Sequence, residues 1–370
     1  MAVLIAALSG RALAAAARRA GDEVIVADLF ADSDTRALAP CIRIQGSITG
    51  GLDGSSLLAA IAAHRQAIEG IVYGAGLEGD PDLLRALAEM APLIGNPPAI
   101  VESVKDPFRF ALLLARLGLP HPRTTSLATD RHGWLRKIAG GSGGTHIAPA
   151  SGAAPAPRAY YQEKVEGRAV SALFLADGHD AEVLGFSAQW TAPSRTAPYR
   201  YGGCAAPLSL PITLSAGLSK ACRAIAAEAK LVGLNSLDML VRDDGFTILE
   251  INPRPGATLD VFDEGGSAAL WRLHRAAVGG TLPAQPPRLS EGRAAAIVYA
   301  PARLVVPPDF DWPPWAADRS PPGTVIEADE PICTALATAA GTAMAEALAH
   351  ERVVQILRLF SFIGAESLSS

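Results

Sequence analysis

Leu237-Asp-Met-Leu-Val-Arg-Asp-Asp-Gly-Phe-Thr-Ile-Leu-Glu-Ile-Asn-Pro-Arg254 decides how this chain is read. Both flanks are rich in β-favouring residues. Asp243-Asp244-Gly245 between them reads as a three-residue hairpin turn, with glycine where φ > 0 is needed. Pairing Arg242 with Phe246 sets Leu240 opposite Ile248 and Asp238 opposite Glu250. Strict alternation sends Ile248, Glu250 and Asn252 to one face, and Leu249 and Ile251 to the other. Side chains directly opposed in a hairpin stand about 5 Å apart, and like charges there repel. That repulsion is below about 1 kcal/mol in water but roughly 3 kcal/mol at an effective dielectric of 20. Two acids facing solvent are the bland alternative. Glu250, however, lies between apolar neighbours and is followed at once by Asn252-Pro-Arg-Pro-Gly256. A half-buried pair calls for a cation. Oxygen-only ligands with no Cys or His alongside suit Mg²⁺ or Mn²⁺ and not zinc.

The rest of the composition narrows the class. A chain of 370 residues has room for two or three domains, and with 49 % apolar and 19 % charged residues it reads as globular. The net charge of −5, with no basic stripe, argues against a nucleic-acid partner. Cys41, Cys204, Cys222 and Cys333 are scattered without CxxC spacing, which argues against a disulfide framework or a zinc site. Met1–Leu8 lacks the features of a signal peptide, and no uninterrupted apolar run reaches membrane length. A cytoplasmic protein without membrane contact is expected.

Residues 1–100 alternate strand and helix: strands at Val3–Leu8, Glu23–Asp28, Gly70–Tyr73 and Pro92–Gly95, helices at Arg11–Ala20, Leu57–Glu69 and Asp82–Met90. Such βα alternation predicts a mostly parallel sheet covered on both faces. Lys105–Leu117 reads as one amphipathic helix ending at Gly118. Short strands, glycine loops and hairpins then take over: Trp134–Ala139, Tyr160–Val165, Val170–Leu175 and Glu182–Trp190. Helices are expected at Leu214–Leu231 and Ser267–Val278. After the Pro-rich linker Leu282–Leu289 come a strand, Ala295–Tyr299, and a terminal helix from about Leu336 to Phe360.

Two motif matches compete with the hairpin. Gly74-Ala-Gly-Leu-Glu-Gly79 fits the dinucleotide fingerprint GxGxxG. Yet Asp80-Pro81 is the better helix start, and the next strand ends in Asn96, with no acid for a ribose. The loop could still line a substrate site at its strand's carboxyl end. Gly140-Gly-Ser-Gly-Gly144 fits GxSxG and would make Ser142 a hydrolase nucleophile. The strand before it carries Arg136 and Lys137, however, and Pro149, Pro155 and Pro157 forbid the following helix an elbow needs. A glycine loop whose N–H groups wrap phosphates, with Lys137 adding charge, fits better, although a plain linker is equally open. Tyr160–Gly167 is an alternating strand ending at glycine, able to present backbone groups to an adenine edge.

In their order and spacing these pieces resemble the ATP-grasp superfamily over nearly the whole chain. The resemblance implies an α/β (α+β) architecture: an N-terminal parallel α/β domain over 1–103, an ATP-grasp domain over 104–282 with a small lid subdomain about 124–167, and a C-terminal strand/helix module over 283–370. It implies that Lys105 and Lys137 contact phosphate, that Gly140, Gly141, Ser142, Gly143 and Gly144 form the lid loop, and that Gln162, Glu163 and Val165 read adenine. Asp238, Glu250 and Asn252 match the magnesium ligands, and Arg254 matches the arginine beside the transferred phosphoryl group. Ala169 stands where many relatives have an acid for the ribose.

Tyr73–Glu78, Gly185–Trp190, Tyr199–Gly203 and Glu250–Pro255 resemble the carboxylate–amine ligase branch. The trailing module, with Ile297–Ala300 and Glu330–Cys333, is similar to that of tyramine–glutamate ligases of methanofuran-type (methylofuran) cofactor synthesis. The resemblance implies an ATP- and Mg²⁺-dependent ligase working through an acyl phosphate, with a small carboxylate and a small amine as partners, glutamate and tyramine among them. Arg195, Arg200, Glu78, Ser9 and Arg11 are the substrate candidates, the two loop arginines as a carboxylate clamp. A homodimer is compatible with all of this. A serine hydrolase on Ser142 and a nucleotide-binding regulator without turnover are the rival readings.

Overall fold

The computed structural model describes residues 1–127, 132–153, 156–264 and 269–366, with side chains to 361. At the amino end four strands, Cys41–Arg43, Val24–Asp28, Ala2–Ala7 and Ile68–Tyr73, form a parallel sheet in that order. Alternation along Ala2–Ala7 splits the core in two. Val3 and Ile5 pack with Leu13 and Ala17 of the helix Arg11–Ala20, while Leu4 and Ala6 pack with Leu57, Ile61 and Leu84 on the other face. Asp80 caps the helix Pro81–Met90 by accepting from the Leu83 N–H at 3.0 Å, so Gly74–Gly79 is a connecting loop and not a helix start.

A small antiparallel sheet follows, ordered Thr124–Thr125, Ala159–Glu163, Trp134–Ile138, Ala148–Pro149. The main sheet has eight antiparallel strands. It runs from Gly245–Asn252 through Val232–Arg242, Arg168–Asp177, Ala181–Thr191, Tyr201–Ala206, Gly292–Tyr299 and Pro331–Ala339 to Ala316–Ala317. Val170, Ala172 and Phe174 face the helix Ile212–Ala229 through Leu218, Cys222 and Ile225, whereas Leu173 and Leu175 face Leu270 and Trp271. A parallel amino-terminal sheet followed by antiparallel sheets with helices on their faces is the expected α+β architecture. Among the described residues no helix is long and apolar enough to cross a membrane.

Four expectations need correction. The helix expected at Lys105–Leu117 is two helices, Pro98–Lys105 and Pro107–Arg116, because Pro107 cannot continue the first. Asp106 caps the second by accepting from the Phe108 and Arg109 N–H groups. Lys105 therefore ends a helix and does not begin one. The helix expected over Leu57–Glu69 is Gly54–His64, and Ile68 and Glu69 already belong to the strand, where Ile68 pairs with Ala2. Pro92–Gly95 contributes only a single bridge, Leu93 to Ile71. The terminal helix is Thr342–Glu366, and Leu336–Ala339 ends an inner strand with partners on both sides. Of the helix expected at Ser267–Val278, Leu270–Val278 is observed, and Ser267 and Ala268 lie outside the described residues.

Candidate active site

The hairpin sets Asp238 opposite Glu250, but by a different route from strict alternation. Arg242 pairs with Gly245 across a two-residue turn, and Met239 pairs with Ile248. A bulge at Leu249 then restores the register, so that Leu237 meets Ile251 and Ser236 meets Asn252. Ile248 and Ile251 both enter the core with Leu237 and Met239, contrary to the expected face pattern. Glu250 and Asn252 are left together on the opposite face with Asp238. The inserted residue lets the strand bury both isoleucines while keeping both acids on the site.

Around this pair the charges are arranged tightly. Lys105 Nζ, at the end of its helix, lies 3.4 Å from Glu250 Oε2, 3.2 Å from the Ile251 carbonyl and 3.4 Å from Asn252 Oδ1. The Asn252 amide donates to Asp238 Oδ2 at 2.9 Å. Gln189 reaches Asp238 Oδ1 at 3.4 Å from the strand Ala181–Thr191, across the intervening Arg168–Asp177. Burial and the facing Glu250 carboxylate push Asp238 above the usual carboxylate range. Enclosure would raise Glu250 too, but Lys105, Lys137 and His146 pull it down to about 2. The two acids thus divide the charge, with the lysines on Glu250's side. Lys137 is buried on its strand, and that burial, with Lys105 nearby, lowers its pKa against the pull of Glu250 and Asp238.

The donor set fits a hard divalent ion. Three oxygens converge on the Lys105 ammonium, a cation already seated beside the acids, and no sulfur or imidazole ligand joins them. Among the described residues no three His, Cys, Asp or Glu side chains converge as a complete metal site. Two carboxylates and an amide suit an ion that takes its remaining ligands from phosphates and water.

Arg254 follows two residues later, buried, its Nε 2.5 Å from Glu78 Oε1. Burial would raise Glu78, but Arg254 and Lys105 hold it below its ordinary value. The end of the hairpin is fixed by Asn96, which donates to the Val232 and Pro253 carbonyls and to Asn235 Oδ1. Tyr73 Oη also donates, at 2.7 Å to the Asn96 carbonyl and at 3.3 Å to that of Pro253. Asn96, noticed in the sequence only for not being an acid, therefore ties the parallel sheet to the hairpin.

The glycine loop lies over this centre. Gly140, Gly143 and Gly144 have φ of 80°, 63° and 70°, values that side chains disfavour. A Cβ on Gly144 would run into the Tyr199 carbonyl, and one on Gly141 into His146. The loop is held by the Tyr201 N–H donating to the Gly143 carbonyl at 2.9 Å. Arg158 donates to the Gly79 carbonyl at 2.6 Å, beside Gly140. Beneath it is a cavity of about 30 Å³, bordered by Lys105, Gly140, Gly141, Gln162 and Glu250, with Val104 and Leu249 as apolar walls. Gln162 is buried there; Glu163 turns its carboxylate to Arg123 at 2.9 Å, and its N–H donates to the Arg123 carbonyl. Among the described residues nothing bonds to the Val165 N–H, a donor two residues beyond that strand.

The other candidates lie elsewhere. Arg200 is buried against the Tyr299 ring at 3.6 Å and bonded to Asp329 at 3.0 Å, so its guanidinium is engaged in the fold. Arg195 is exposed on the same loop. Ser9 and Arg11 border a second, larger cavity. Ala169 lies on the strand beside the hairpin, paired with Leu240. Sequence reading missed Gln189, His146 and His121, whose Nδ1 is 2.9 Å from the Ile248 carbonyl. Single polar residues carry no local pattern that would have marked them.

Residues 104–258 match the family described as an ATP-grasp domain. The fold is shared with solved structures at low identity. Pyruvate carboxylase of Rhizobium etli superposes with a TM-score of 0.71 at 16 % identity, over 93 % of this chain but 36 % of its own. The biotin carboxylase domain of 2-oxoglutarate carboxylase from Hydrogenobacter thermophilus, solved with magnesium ADP and bicarbonate, gives 0.70 at 14 %, covering 92 % and 87 %. Carboxyaminoimidazole ribonucleotide synthase of Aspergillus clavatus, complexed with ATP, gives 0.67 at 14 %, covering 97 % and 99 %. A search of curated proteins finds no match.

Proposed function

We propose that this protein is an ATP- and Mg²⁺-dependent ligase that joins a carboxylate to an amine through an acyl phosphate. The observation that carries the reading is the Asp238–Glu250 pair facing Lys105 and Lys137 under the glycine loop. Similar folds solved with ATP or magnesium ADP support a nucleotide there. Asp238, Glu250 and Asn252 would hold the Mg²⁺, which neutralises phosphate charge when bound. Lys105 and Lys137 would hold the phosphates, and the Gly140–Gly144 N–H groups would close over them. Gln162 and the Glu163 and Val165 backbone would read adenine between Val104 and Leu249.

A carboxylate oxygen of the substrate attacks the γ-phosphorus and ADP leaves. The amine then attacks the acyl carbon, phosphate leaves, and the amine's surplus proton passes to solvent. Arg254 is placed to stabilise the moving phosphoryl group and the later oxyanion. The chain divides at about 103 and 282, with the lid about 124–167. For the substrates we propose glutamate and tyramine, on the resemblance of the trailing module.

The test is phosphate release from ATP across amino acids paired with amines, glutamate and tyramine first, for the native protein and Glu250→Gln. Release that needs both reactants and falls at least about a hundredfold in the variant is expected. Unchanged release in Glu250→Gln at low Mg²⁺ would refute the metal assignment.

A further inference from the structure

The larger cavity, about 200 Å³, opens where the strand Ala2–Ala7 meets the helix Arg11–Ala20 and the segment after the hairpin. Leu8, Ala12, Leu13, Leu259, Ile297 and Tyr201 make most of its wall. Gly74 and Pro255 also border it, and they directly follow Tyr73 and Arg254 of the centre described above. Its polar end is Ser9, Arg11, Asp260, Asp318 and Thr334.

The charged lining residues are one guanidinium and two carboxylates, a net charge of −1. Arg11 donates through Nε and Nη2 to Asp318, both at 3.1 Å, and through Nη1 and Nη2 to Asp260 at 2.6 and 2.5 Å. Those four bonds leave one of its five donors. A ligand carboxylate would therefore find almost no donor and two like charges. Each Asp260 oxygen, by contrast, accepts one bond and keeps a second lone pair. Asp34 stands behind, 4.0 Å from Arg11 Nε, and adds to the negative field. Thr258, flanked by the lining residues Ala257 and Leu259, buries a hydroxyl that has no partner.

We infer that this cavity binds an organic ammonium, a primary amine on an apolar body, with Asp260 accepting its N–H groups and Asp318, whose oxygens already accept from Arg11, Ser9 and Thr334, adding only negative charge. The apolar wall takes the body, and the Asp260 carboxylate makes charge-assisted bonds to the head. The inference rests on the ligase reading only in making that ammonium a reactant; binding itself does not require turnover.

The test is calorimetric titration of the full chain, with and without magnesium ADP, using hexylamine, 1-hexanol and hexanoate. Hexylamine should bind at least about tenfold more tightly than hexanol, and hexanoate more weakly than either. Asp260→Asn should bring hexylamine down towards hexanol. Ile297→Trp should weaken both by filling the space. ADP affinity should stay within about twofold in both variants, since neither residue borders the nucleotide cavity. Hexanoate binding as well as hexylamine, or hexylamine binding that neither substitution alters, overturns the inference. Should Asp260→Asn fail to fold, the order of the three probes on the native chain and the Ile297→Trp result still decide it. Amine binding as stated, without phosphate release for any acid, sinks the ligase reading alone. Release that depends on an amine no better bound than its alcohol sinks this inference alone.

Discussion

Two buried arginines, Arg254 at the end of the hairpin strand and Arg11 on the larger cavity, are held in opposite ways. Arg254 has one carboxylate, Glu78, at 2.5 Å; its remaining contacts, to Pro255 and Asn252, are 3.4 and 3.5 Å and weak. Arg11 has two carboxylates, and four of its N–H groups are engaged. The first arrangement is neutral and leaves guanidinium donors to turn towards an incoming anion. The second is over-neutralised and presents carboxylate oxygens instead. On the readings proposed above, the same side chain would mark an anion site in one place and a cation site in the other, with partner count deciding which.

The sharpest way to break that contrast is to remove a partner from each. Glu78→Ala leaves Arg254 buried and unpaired, and should cost about 3–5 kcal/mol in urea unfolding. Asp260→Asn leaves Arg11 with Asp318 and an amide oxygen, and should cost about 1–2 kcal/mol. Equal losses would show that partner count does not distinguish the two.

The glycine loop sharpens the nucleotide side. Gly144→Ala places a methyl group against the Tyr199 carbonyl at φ of 70°. We expect kcat/KM for phosphate release to fall about a hundredfold, because a displaced loop misplaces the phosphates. Thermal unfolding should move little, since the loop contributes no core residue. A variant with unchanged kinetics would detach the loop from the chemistry.

A smaller effect tests the acidic side. Burial, with Asp318, Asp28 and Asp34 close by, raises Asp32 to about 8, although Arg11 pulls it down. Between about pH 4, where the unfolded side chain loses its proton, and about pH 8 the native state holds a proton that the unfolded state lacks. Stability from this group is therefore present below the unfolded value and is lost as pH rises through that window. Asp32→Asn should be the more stable form above pH 8, with the gap closing towards pH 4. Denaturation curves that stay parallel across pH would remove Asp32 from the account.

What could be read beforehand follows the range of the forces involved. The alternation of Val3–Ile5 and Val24–Val26, the Asp80-Pro81 cap and the opposition of Asp238 to Glu250 are set within a few residues, and they stand in the structure. The bulge at Leu249 is not local. It answers the demand that Ile248 and Ile251 share one core, which the hairpin alone does not impose. The break at Asp106-Pro107 was legible from proline chemistry and was overridden by the longer apolar period. Asp318 reaches the larger cavity, and Gln189 and His146 reach the acidic pair, from distant segments, and no spacing announces them.

The smallest predicted effect separates the ligase reading from a hydrolase. A serine nucleophile needs a base within about 2.6–3.2 Å, with a pKa near the working pH. His146 is the nearby imidazole in sequence, but its Nδ1 has no partner, and burial lowers it to about 4. Lys137 and Lys105 deepen that shift although Glu250 opposes it, so the ring is a poor proton acceptor at neutral pH. The loop also runs from Trp134–Ile138 into the strand Ala148–Pro149, with no helix to support an elbow. Ser142→Ala should therefore leave ATP-dependent phosphate release within about threefold, because only one hydroxyl is lost from a loop that works through its backbone. A drop of more than about a thousandfold, together with ester hydrolysis by the native protein in the absence of ATP, would return Ser142 to the centre of the chemistry.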